Sequence, residues 1–548
     1  MSKNQIFLYC AGGGKTTKLI NRVKDLIDLG VPQNRILIIS FTNSSCDDIL
    51  LKSGVRALTF HGFCYNYLRK DFNIMDDMSI FVHIFLQKFP NLSHKKFPDI
   101  LTLINSYYIF KNFGSIDEFN LNISKLSEKD QILNREFRNL IEIIEKEKIN
   151  HKVLFFSDII HEFLKNIDNF LMEIGESYDH ILVDEAQDLS LLQLKILSKM
   201  IEEVFFDEDK SFFIVGDSRQ SIYDFQGSSS LFFLEFLNQL KDLCNKRQIE
   251  LTVENKNETF RFGGEILEKI QENSPHKSAK IHGKYQKIEI QEGELEEKIM
   301  DIITKYSNGN ELKDIMILFD RNKKIIENLQ NNLHSLGLNI KIYRENNEII
   351  KGLQYILEFL QTESNWSAAK ILQGPFFYLQ EPHFYFLSQE INNNYTLYNP
   401  SFFDKIKSLR FYPDLLMKFL SNRVISTPIN LKLFEELYKI SLEYSSFDSF
   451  FLQIPFQITI KEQGIQFSTI HSAKGLEAEI VILIKDRPYK QFLYISQDPF
   501  FFFYDNINIF TKLIIENQQI ANSNTLKNLE YVSLTRAKST LIEIEIIS

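Results

Sequence analysis

Two segments of this 548-residue chain have the residue types needed to hold and hydrolyse a nucleoside triphosphate. The first is a glycine-rich turn made of Gly12, Gly13, Gly14, Lys15, Thr16 and Thr17. Such a turn lets backbone N–H groups approach phosphate oxygens, while its lysine neutralises the outer phosphates and a threonine hydroxyl ligates Mg²⁺. The second segment begins with Asp184 and Glu185, an acidic pair that would complete the metal site and activate water.

The elements around these segments predict how they are positioned. An apolar run over 6–9 leads into the glycine turn, and residues 18–23 follow with helical spacing. Further apolar runs cover 35–40, 178–183 and 212–215. Strands that alternate with helices predict an α/β fold with parallel sheets, in which ligands bind at the carboxyl ends of the strands.

A chain of 548 residues is too long for a single hydrophobic core, so we expect at least two domains. Two long helical stretches without a phosphate motif interrupt the strand pattern, and we interpret both as insertions. The predicted domains are a first sheet domain over 1–65 and 178–260 with a helical insertion at 66–177, and a second sheet domain over 261–349 and 456–548 with a helical insertion at 350–455.

Composition limits the class of protein. The formal net charge of -10 argues against a uniformly basic nucleic-acid binder, although a local basic track remains compatible with it. The four cysteines form no CxxC pair and no Cys/His cluster, so we expect reduced, packed thiols rather than a zinc or iron–sulfur site. We find no signal peptide and no apolar run near the ~20 residues that cross a bilayer, and therefore expect a cytoplasmic protein without membrane contact.

The order of the motifs resembles that of the superfamily 1 helicases of the UvrD/Rep type over essentially the whole chain. Besides the two segments above, the resemblance rests on 41–43 (Phe-Thr-Asn), 59–64 (Thr-Phe-His-Gly-Phe-Cys), 156–158 (Phe-Ser-Asp), 215–227, 259–261 (Thr-Phe-Arg), 469–477 and 531–537. It implies a P-loop NTPase with two RecA-like parallel-sheet domains, each with a mainly helical insertion. The implied activity is that of an ATP-dependent 3′-to-5′ DNA helicase or single-strand translocase in repair or recombination.

The resemblance also implies residue roles at an ATP site. The phosphate loop, with Lys15, would hold the phosphates, Thr16 and Asp184 would hold Mg²⁺, and Glu185 would activate water. Gln220 would sense the γ-phosphate. The remaining implied roles are arginine fingers for Arg261 and Arg536, and a ribose contact for Glu477 beside Gly475.

On the nucleic-acid side, single-stranded or partly duplex DNA is the implied partner. Stacking platforms and backbone donors hold single strands without reading their sequence. The candidate DNA contacts are Thr42, Asn43, Thr59, His61, Tyr223 and His471. Relatives recognise adenine through a glutamine upstream of the phosphate loop, and only fourteen residues precede Lys15, so the base preference stays open.

Three segments resemble AddA, the helicase subunit of double-strand-break resection complexes: 225–227, 372–376 and 475–478. AddA proteins end in a nuclease domain, whereas twelve residues follow Arg536 here. We therefore expect any nuclease that acts with this chain to be a partner subunit. A second interpretation is therefore an ATP-gated DNA-binding or sensing subunit that works only with such a partner, in resection or anti-phage defence. A third is a translocase that strips proteins from single strands without separating duplexes.

Overall fold

The structure is a computed structural model, and two ranges named above for the AddA resemblance, 225–227 and 372–375, lie outside the residues that it describes. The described residues are 3–75, 128–150, 152–223, 228–272, 274–307, 312–319, 329, 332–333, 340–342, 348–363, 368, 371, 376, 400–421, 428–451, 464–485 and 526–547.

Most of the described strands belong to two six-stranded sheets, and all strand pairs within these two sheets are parallel. The strands are β1 Asn4–Tyr9, β2 Ile36–Ser40, β3 Ala57–Thr59, β4 Asn73–Met75, β5 Val153–Phe155, β6 His180–Val183, β7 Ser211–Gly216, β8 Leu251–Lys256, β9 Glu258–Thr259, β10 Lys277–Ser278, β11 Lys284–Ile290, β12 Ile315–Phe319, β13 Ile340–Ile342, β14 Ile465–Thr469, β15 Ala478–Lys485 and β16 Ala537–Ile546. The first sheet has the order β3-β2-β6-β7-β1-β8 and the second β11-β16-β15-β12-β14-β13.

The helices whose bounds are described surround these sheets. They are α1 Lys15–Asp28, α2 Asn43–Ser53, α3 Phe60–Leu68, α4 Glu128–Asn150, α5 Ile159–Lys165, α6 Ile167–Ser177, α7 Leu191–Glu203, α8 Ser230–Lys246, α9 Gly264–Gln271, α10 Leu295–Ser307, α11 Glu348–Thr362, α12 Pro400–Ser408, α13 Pro413–Ser421 and α14 Pro428–Ser441. A further helical segment covers 526–534.

Continuous apolar strands place the first sheet between two layers of helices. Every residue of β2 and of β7 is buried, as expected for a parallel sheet that is covered on both faces. Helices α1 and α2 pack on one face in a single core cluster, and α3, α5, α7 and α8 pack on the other. The predicted strand–turn–helix arrangement around the glycine turn is thus confirmed.

The second sheet is covered in the same way. Ile266 and Ile270 of α9 lie in a core cluster on one face, whereas Ile299 and Ile303 of α10 lie in a cluster on the other. The predicted fold class, α/β with two RecA-like parallel sheets, is therefore confirmed. Helices α11 to α14 share a separate core, which includes Phe359 and Phe403, with ring centroids 5.0 Å apart.

Helices α5 and α6 lie within the range predicted as the first insertion, 66–177. Their residues Ile160, Phe163 and Ile174 nevertheless belong to the core cluster of the first sheet. Phe163 lies 5.7 Å from Phe63 of α3, measured between ring centroids. The stretch that leads into β6 therefore packs with the sheet, and the domain boundaries themselves stay predictions.

Two other observations bear on the composition. Cys10, Cys46, Cys64 and Cys244 are all buried and free, as expected for packed thiols. Within the described part of the chain, no helix has both the length and the apolar character needed to span a membrane.

Candidate active site

The phosphate loop connects the carboxyl end of β1 to the first turn of α1. Gly12 and Gly14 have φ angles of 69° and 87°, in the left-handed region where residues with a Cβ are strained. A Cβ at Gly13 would lie 2.9 Å from the Cys10 carbonyl oxygen, so glycine is also required for space at that position. Lys15 begins α1, is 7% exposed and donates to the Tyr9 carbonyl oxygen at 3.4 Å. The loop thus places the buried Lys15 ammonium group beside the N-terminus of α1, an arrangement that suits a bound anion.

The acidic pair follows β6 on the same edge of the sheet. The Thr16 hydroxyl Oγ1 lies 3.3 Å from Asp184 Oδ2, which joins the phosphate loop to the acidic segment. Glu185 has a φ of 49°, an uncommon angle for a residue with a side chain. Its carboxylate accepts a 2.7 Å hydrogen bond from Gln187 Nε2, while Gln187 Oε1 accepts from the backbone N–H of Asp217 at 2.9 Å. Gln187 therefore fixes Glu185 relative to the end of β7.

Burial and charge give the two carboxyls different protonation behaviour. Burial and the neighbouring charge of Glu185 together raise the pKa of Asp184 to about 7, against the opposing effect of Lys15. Burial also acts to raise the pKa of Glu185, but the charges of Lys15 and Lys474 outweigh it and lower this pKa below its ordinary value. Glu185 is consequently ionised at neutral pH, whereas Asp184 lacks a full counter-charge.

A chain of hydrogen bonds runs from β7 to the second sheet. Asp217 Oδ2 accepts from Gln220 Nε2 at 2.9 Å, and Gln220 Oε1 accepts from Arg536 Nη2 at 3.4 Å. Arg536 is 1% exposed and also donates to the carbonyl oxygens of Val532 and Leu476, at 2.9 and 3.2 Å. Burial lowers the pKa of Arg536 to about 9, so its guanidinium remains charged at neutral pH.

The segment of Phe260 and Arg261 forms a second connection between the sheets. Arg261 Nε donates to Glu477 Oε2 at 2.7 Å, and its Nη1 donates to the Thr535 carbonyl oxygen at 3.0 Å. The neighbouring Phe260 is half exposed, and its backbone N–H donates to the Gly12 carbonyl oxygen at 2.9 Å. The structure therefore brings Arg261, Arg536, Gln220 and Glu477 together around the phosphate loop.

Gly475 and Thr17 are the other predicted nucleotide contacts. Gly475 has a φ of 82° and no atom within 4 Å of the position a Cβ would occupy. Its glycine is thus required by backbone conformation rather than by a close neighbour. Thr17 is exposed in the first turn of α1. Their roles stay predictions.

Sequence reasoning assigned no role to Lys474, although it lies inside a quoted motif. Its side chain is 6% exposed, and its Nζ donates to Asp188 Oδ1 at 2.6 Å and to the Gln220 carbonyl oxygen. Asp188 is the last residue of the acidic segment that begins at Asp184. A buried ion pair thus ties the second sheet to the first. The sequence signal that could have indicated this contact was a lysine in a motif otherwise rich in small residues.

The predicted DNA contacts fall into two groups. Tyr223 and His471 lie together, because the Tyr223 hydroxyl donates to the His471 carbonyl oxygen at 3.1 Å. Thr42 and Thr59 are the N-caps of α2 and α3, where their hydroxyls accept from Ser45 N and Gly62 N, both at 3.1 Å. These two threonines have a structural task whether or not DNA binds. Asn43 is exposed in the first turn of α2.

His61 stacks on an aromatic residue that was quoted in a motif but given no role. The rings of His61 and Phe156 lie 4.3 Å apart at an interplanar angle of 13°, and Phe156 is 51% exposed. Burial lowers the pKa of His61 to about 4, so the imidazole is neutral at neutral pH. A neutral stacked pair with an open face is the type of platform on which bases stack.

Comparison with known proteins bears on this arrangement. The family model for the UvrD/REP helicase N-terminal domain matches residues 2–241, and the model for the UvrD-like helicase C-terminal domain matches residues 452–546. Together these two models of one helicase family match more than half of the chain. The chain belongs to the UvrD/Rep helicase family. Its members are expected to use ATP, and the paired sheets with the phosphate loop between them are those of a UvrD/Rep protein.

Individual UvrD/Rep relatives match parts of the chain. A probable DNA helicase II homolog of Mycoplasma genitalium is 30% identical over an alignment of 243 residues that covers 40% of this chain and 34% of the relative. A probable DNA helicase of Mycoplasma pneumoniae is 29% identical over an alignment of 247 residues that covers 40% of this chain and 44% of the relative. A subunit of the ATP-dependent helicase/nuclease of Staphylococcus carnosus is 32% identical over 163 residues, 28% of this chain and 13% of the relative. This UvrD/Rep chain thus spans less than half the length of these relatives.

Proposed function

We propose that this chain is an ATP-dependent 3′-to-5′ DNA helicase or single-strand translocase that acts in DNA repair or recombination in the cytoplasm. The observation that carries this proposal is the cross-sheet chain from Asp217 through Gln220 to Arg536. Through side chains alone, it joins the second sheet to the edge of the first sheet that carries the phosphate loop and the acidic segment, here called the nucleotide edge. A nucleotide bound there would be contacted by both sheets.

The proposed cycle follows from these contacts. Lys15 and the loop N–H groups bind the β- and γ-phosphates, and Glu185, ionised and held by Gln187, orients the attacking water. Arg261 and Arg536 stabilise the charge that develops on the transferred phosphoryl group. Because both arginines reach the nucleotide from the second-sheet side of the cleft between the two sheets, hydrolysis and phosphate release remove negative charge that draws them toward the first sheet. Alternate closing and opening then moves the protein along one strand.

Magnesium is proposed as the metal cofactor. The hydroxyl of Thr16 and the carboxylate of Asp184 are hard oxygen ligands 3.3 Å apart, and Mg²⁺ prefers such ligands together with phosphate oxygens. The raised pKa of Asp184 fits this assignment, because a buried carboxyl short of positive charge is stabilised in its ionised form by a cation. When bound, the metal supplies charge compensation at the β- and γ-phosphates.

Strand separation tests the proposed polarity. A duplex with a 3′ single-stranded tail is expected to be unwound in the presence of ATP, and a duplex with a 5′ tail is expected to remain intact. Lys15→Ala is the matched control, since it removes the ammonium group that contacts the phosphates. Unwinding of only the 5′-tailed duplex would contradict the polarity. Displacement of streptavidin from a 5′-biotinylated single strand without any unwinding would favour the translocase.

A second candidate function is supported by one of the relatives. The Staphylococcus carnosus protein is named as a subunit of a helicase/nuclease, and 28% of this chain matches it. On that basis the chain would act as an ATP-gated DNA-binding or sensing subunit beside a nuclease, in resection or anti-phage defence. Unwinding by the purified chain alone would argue against dependence on a partner. Unwinding that needs an added nuclease subunit would support it.

A further inference from the structure

The hydroxyl of Tyr531 lies where three parts of the site meet. It accepts from the backbone N–H of Ala11, in the phosphate loop, at 3.1 Å. It lies 3.3 Å from Asp217 Oδ2, at the end of β7, and 2.8 Å from His276 Nε2, which directly precedes β10. Tyr531 and His276 are 7% and 2% exposed, so these contacts are shielded from water. None of the proposed catalytic roles uses this hydroxyl.

The hydrogen-bonding capacity of these groups determines the direction of the bonds. His276 Nδ1 lies 3.3 Å from the Ser274 carbonyl oxygen, which can only accept, so Nδ1 carries the proton. Burial lowers the pKa of His276, which is therefore neutral, and its Nε2 accepts from the Tyr531 hydroxyl. The lone pairs of the phenol oxygen are then available to the Ala11 N–H. The single O–H proton is shared with the Asp217 carboxylate, to which Tyr531 also donates, at 3.3 Å.

Tyr531 and Arg536 belong to one continuous, hydrogen-bonded segment. Tyr531 lies in the helical segment 526–534, and the Thr535 N–H donates to the Tyr531 carbonyl oxygen at 3.1 Å. Arg536 follows directly and is anchored to Val532 by the hydrogen bond from its Nε. Any displacement of Tyr531 from the phosphate loop would therefore also move the guanidinium of Arg536.

His276 lies on the same side of the cleft as Tyr531. Its ring is 6.1 Å from that of Phe262, which packs in one core cluster with Tyr531 and with Ile266 of α9, the helix that covers the second sheet. In an opened cleft, Tyr531 would keep its contact with His276 and lose those with Ala11 and Asp217, both of which follow strands of the first sheet. His276 would then hold the hydroxyl in place until the cleft closes again.

We propose that Tyr531 is a positioning residue that couples closure of the cleft to the placement of Arg536. Its hydroxyl ties the phosphate loop at Ala11 and the carboxylate of Asp217 to the segment that carries the arginine. The Asp217 carboxylate in turn holds the amide of Gln220, which contacts Arg536. This inference rests on the proposed ATP hydrolysis, because the arginine it positions acts on the nucleotide.

The contact itself is tested without any activity. In the phosphate loop, the N–H groups of Cys10 and Gly13 donate to backbone carbonyl oxygens at 3.0 and 2.9 Å, whereas that of Ala11 donates to Tyr531. Hydrogen–deuterium exchange of the nucleotide-free Tyr531→Phe protein is expected to show about one additional rapidly exchanging amide in a peptide covering 9–14. Uptake equal to that of the native chain would overturn the proposed contact.

The coupling is tested by steady-state kinetics with single-stranded DNA. Tyr531→Phe is expected to lower kcat for ATP about tenfold, with KM changed less than about twofold, because it removes one hydroxyl and leaves the phosphate contacts in place. Tyr285→Phe is the matched control, since its hydroxyl contacts Glu543 Oε2 at 3.2 Å within the second sheet. Tyr285→Phe is expected to retain the native kcat.

A failure of the proposed role of Tyr531 can be distinguished from a failure of the proposed function. If the native chain hydrolyses ATP and Tyr531→Phe has the native kcat, the positioning role is overturned while the proposed function stands. An equal loss of kcat in both tyrosine variants would also overturn it, since a general loss of stability would then explain the effect. A native chain that does not hydrolyse ATP would overturn both proposals, whatever the exchange experiment shows.

Discussion

Arg536→Ala is expected to lower the kcat of DNA-stimulated ATP hydrolysis by about 10³-fold or more, the effect typical of a lost arginine finger. The guanidinium of Arg536 donates to Gln220 Oε1, and the residue is 1% exposed. In such a water-poor cleft, a fixed positive charge stabilises the charge that develops in the transition state more than it would in solution. Steady-state hydrolysis at saturating ATP and DNA measures the effect.

Two further variants serve as controls for this prediction. Arg536→Lys retains the charge but not the planar fork that contacts Gln220 and Leu476 together, so it is expected to recover only a small part of the activity. Arg410→Ala removes a guanidinium that pairs with Asp448 at 2.9 Å in the α11–α14 region, and its kcat should be close to native. A kcat for Arg536→Ala within tenfold of native, in a protein that melts at the native temperature, would remove Arg536 from the catalytic machinery.

Glu185→Gln is expected to lower kcat by about 10² to 10⁴-fold while leaving ATP binding nearly unchanged. The substitution keeps the size of the side chain and its ability to accept from Gln187 Nε2, but it removes the negative charge that is proposed to orient and activate water. Lys15 and the loop N–H groups, which are the proposed phosphate contacts, are not altered. Single-turnover hydrolysis and titration with a fluorescent ATP analogue measure the two quantities separately.

The control for this prediction is Glu289→Gln in β11. Glu289 is an exposed glutamate that pairs with Lys287 at 3.1 Å, outside the cleft. It should change neither binding nor turnover. Loss of ATP affinity in Glu185→Gln that matches its loss of kcat/KM would contradict the assignment of Glu185 as the group that activates water, and would indicate a role in holding the nucleotide instead.

Much of the nucleotide edge could be predicted from sequence because each motif directly follows a strand. The apolar runs before Gly12, Asp184 and Asp217 all became central strands of one parallel sheet, and the carboxyl ends of such strands meet at one edge. Local patterning was therefore sufficient to group these residues. The order of the motifs then supplied the second sheet and its arginines.

The contacts between the sheets could not be predicted in this way. Tyr531 and Asp217 are 314 positions apart, and no local periodicity connects them. His276 lies outside every motif, and Lys474 is one polar residue within a motif whose other members had clearer roles. The packing of Ile160 and Phe163 was also hidden, since apolar residues at helical spacing look the same whether a helix covers a sheet or belongs to an insertion.

As a motor on single-stranded DNA, this chain is expected to hydrolyse ATP in a DNA-dependent way. The most direct test is the rate of ATP hydrolysis by the purified native chain with Mg²⁺, in the absence and presence of a single-stranded oligonucleotide, beside Lys15→Ala. DNA is expected to raise the native rate severalfold, and Lys15→Ala is expected to have no activity under either condition. A native chain that hydrolyses no ATP with DNA and Mg²⁺ present would contradict this expectation.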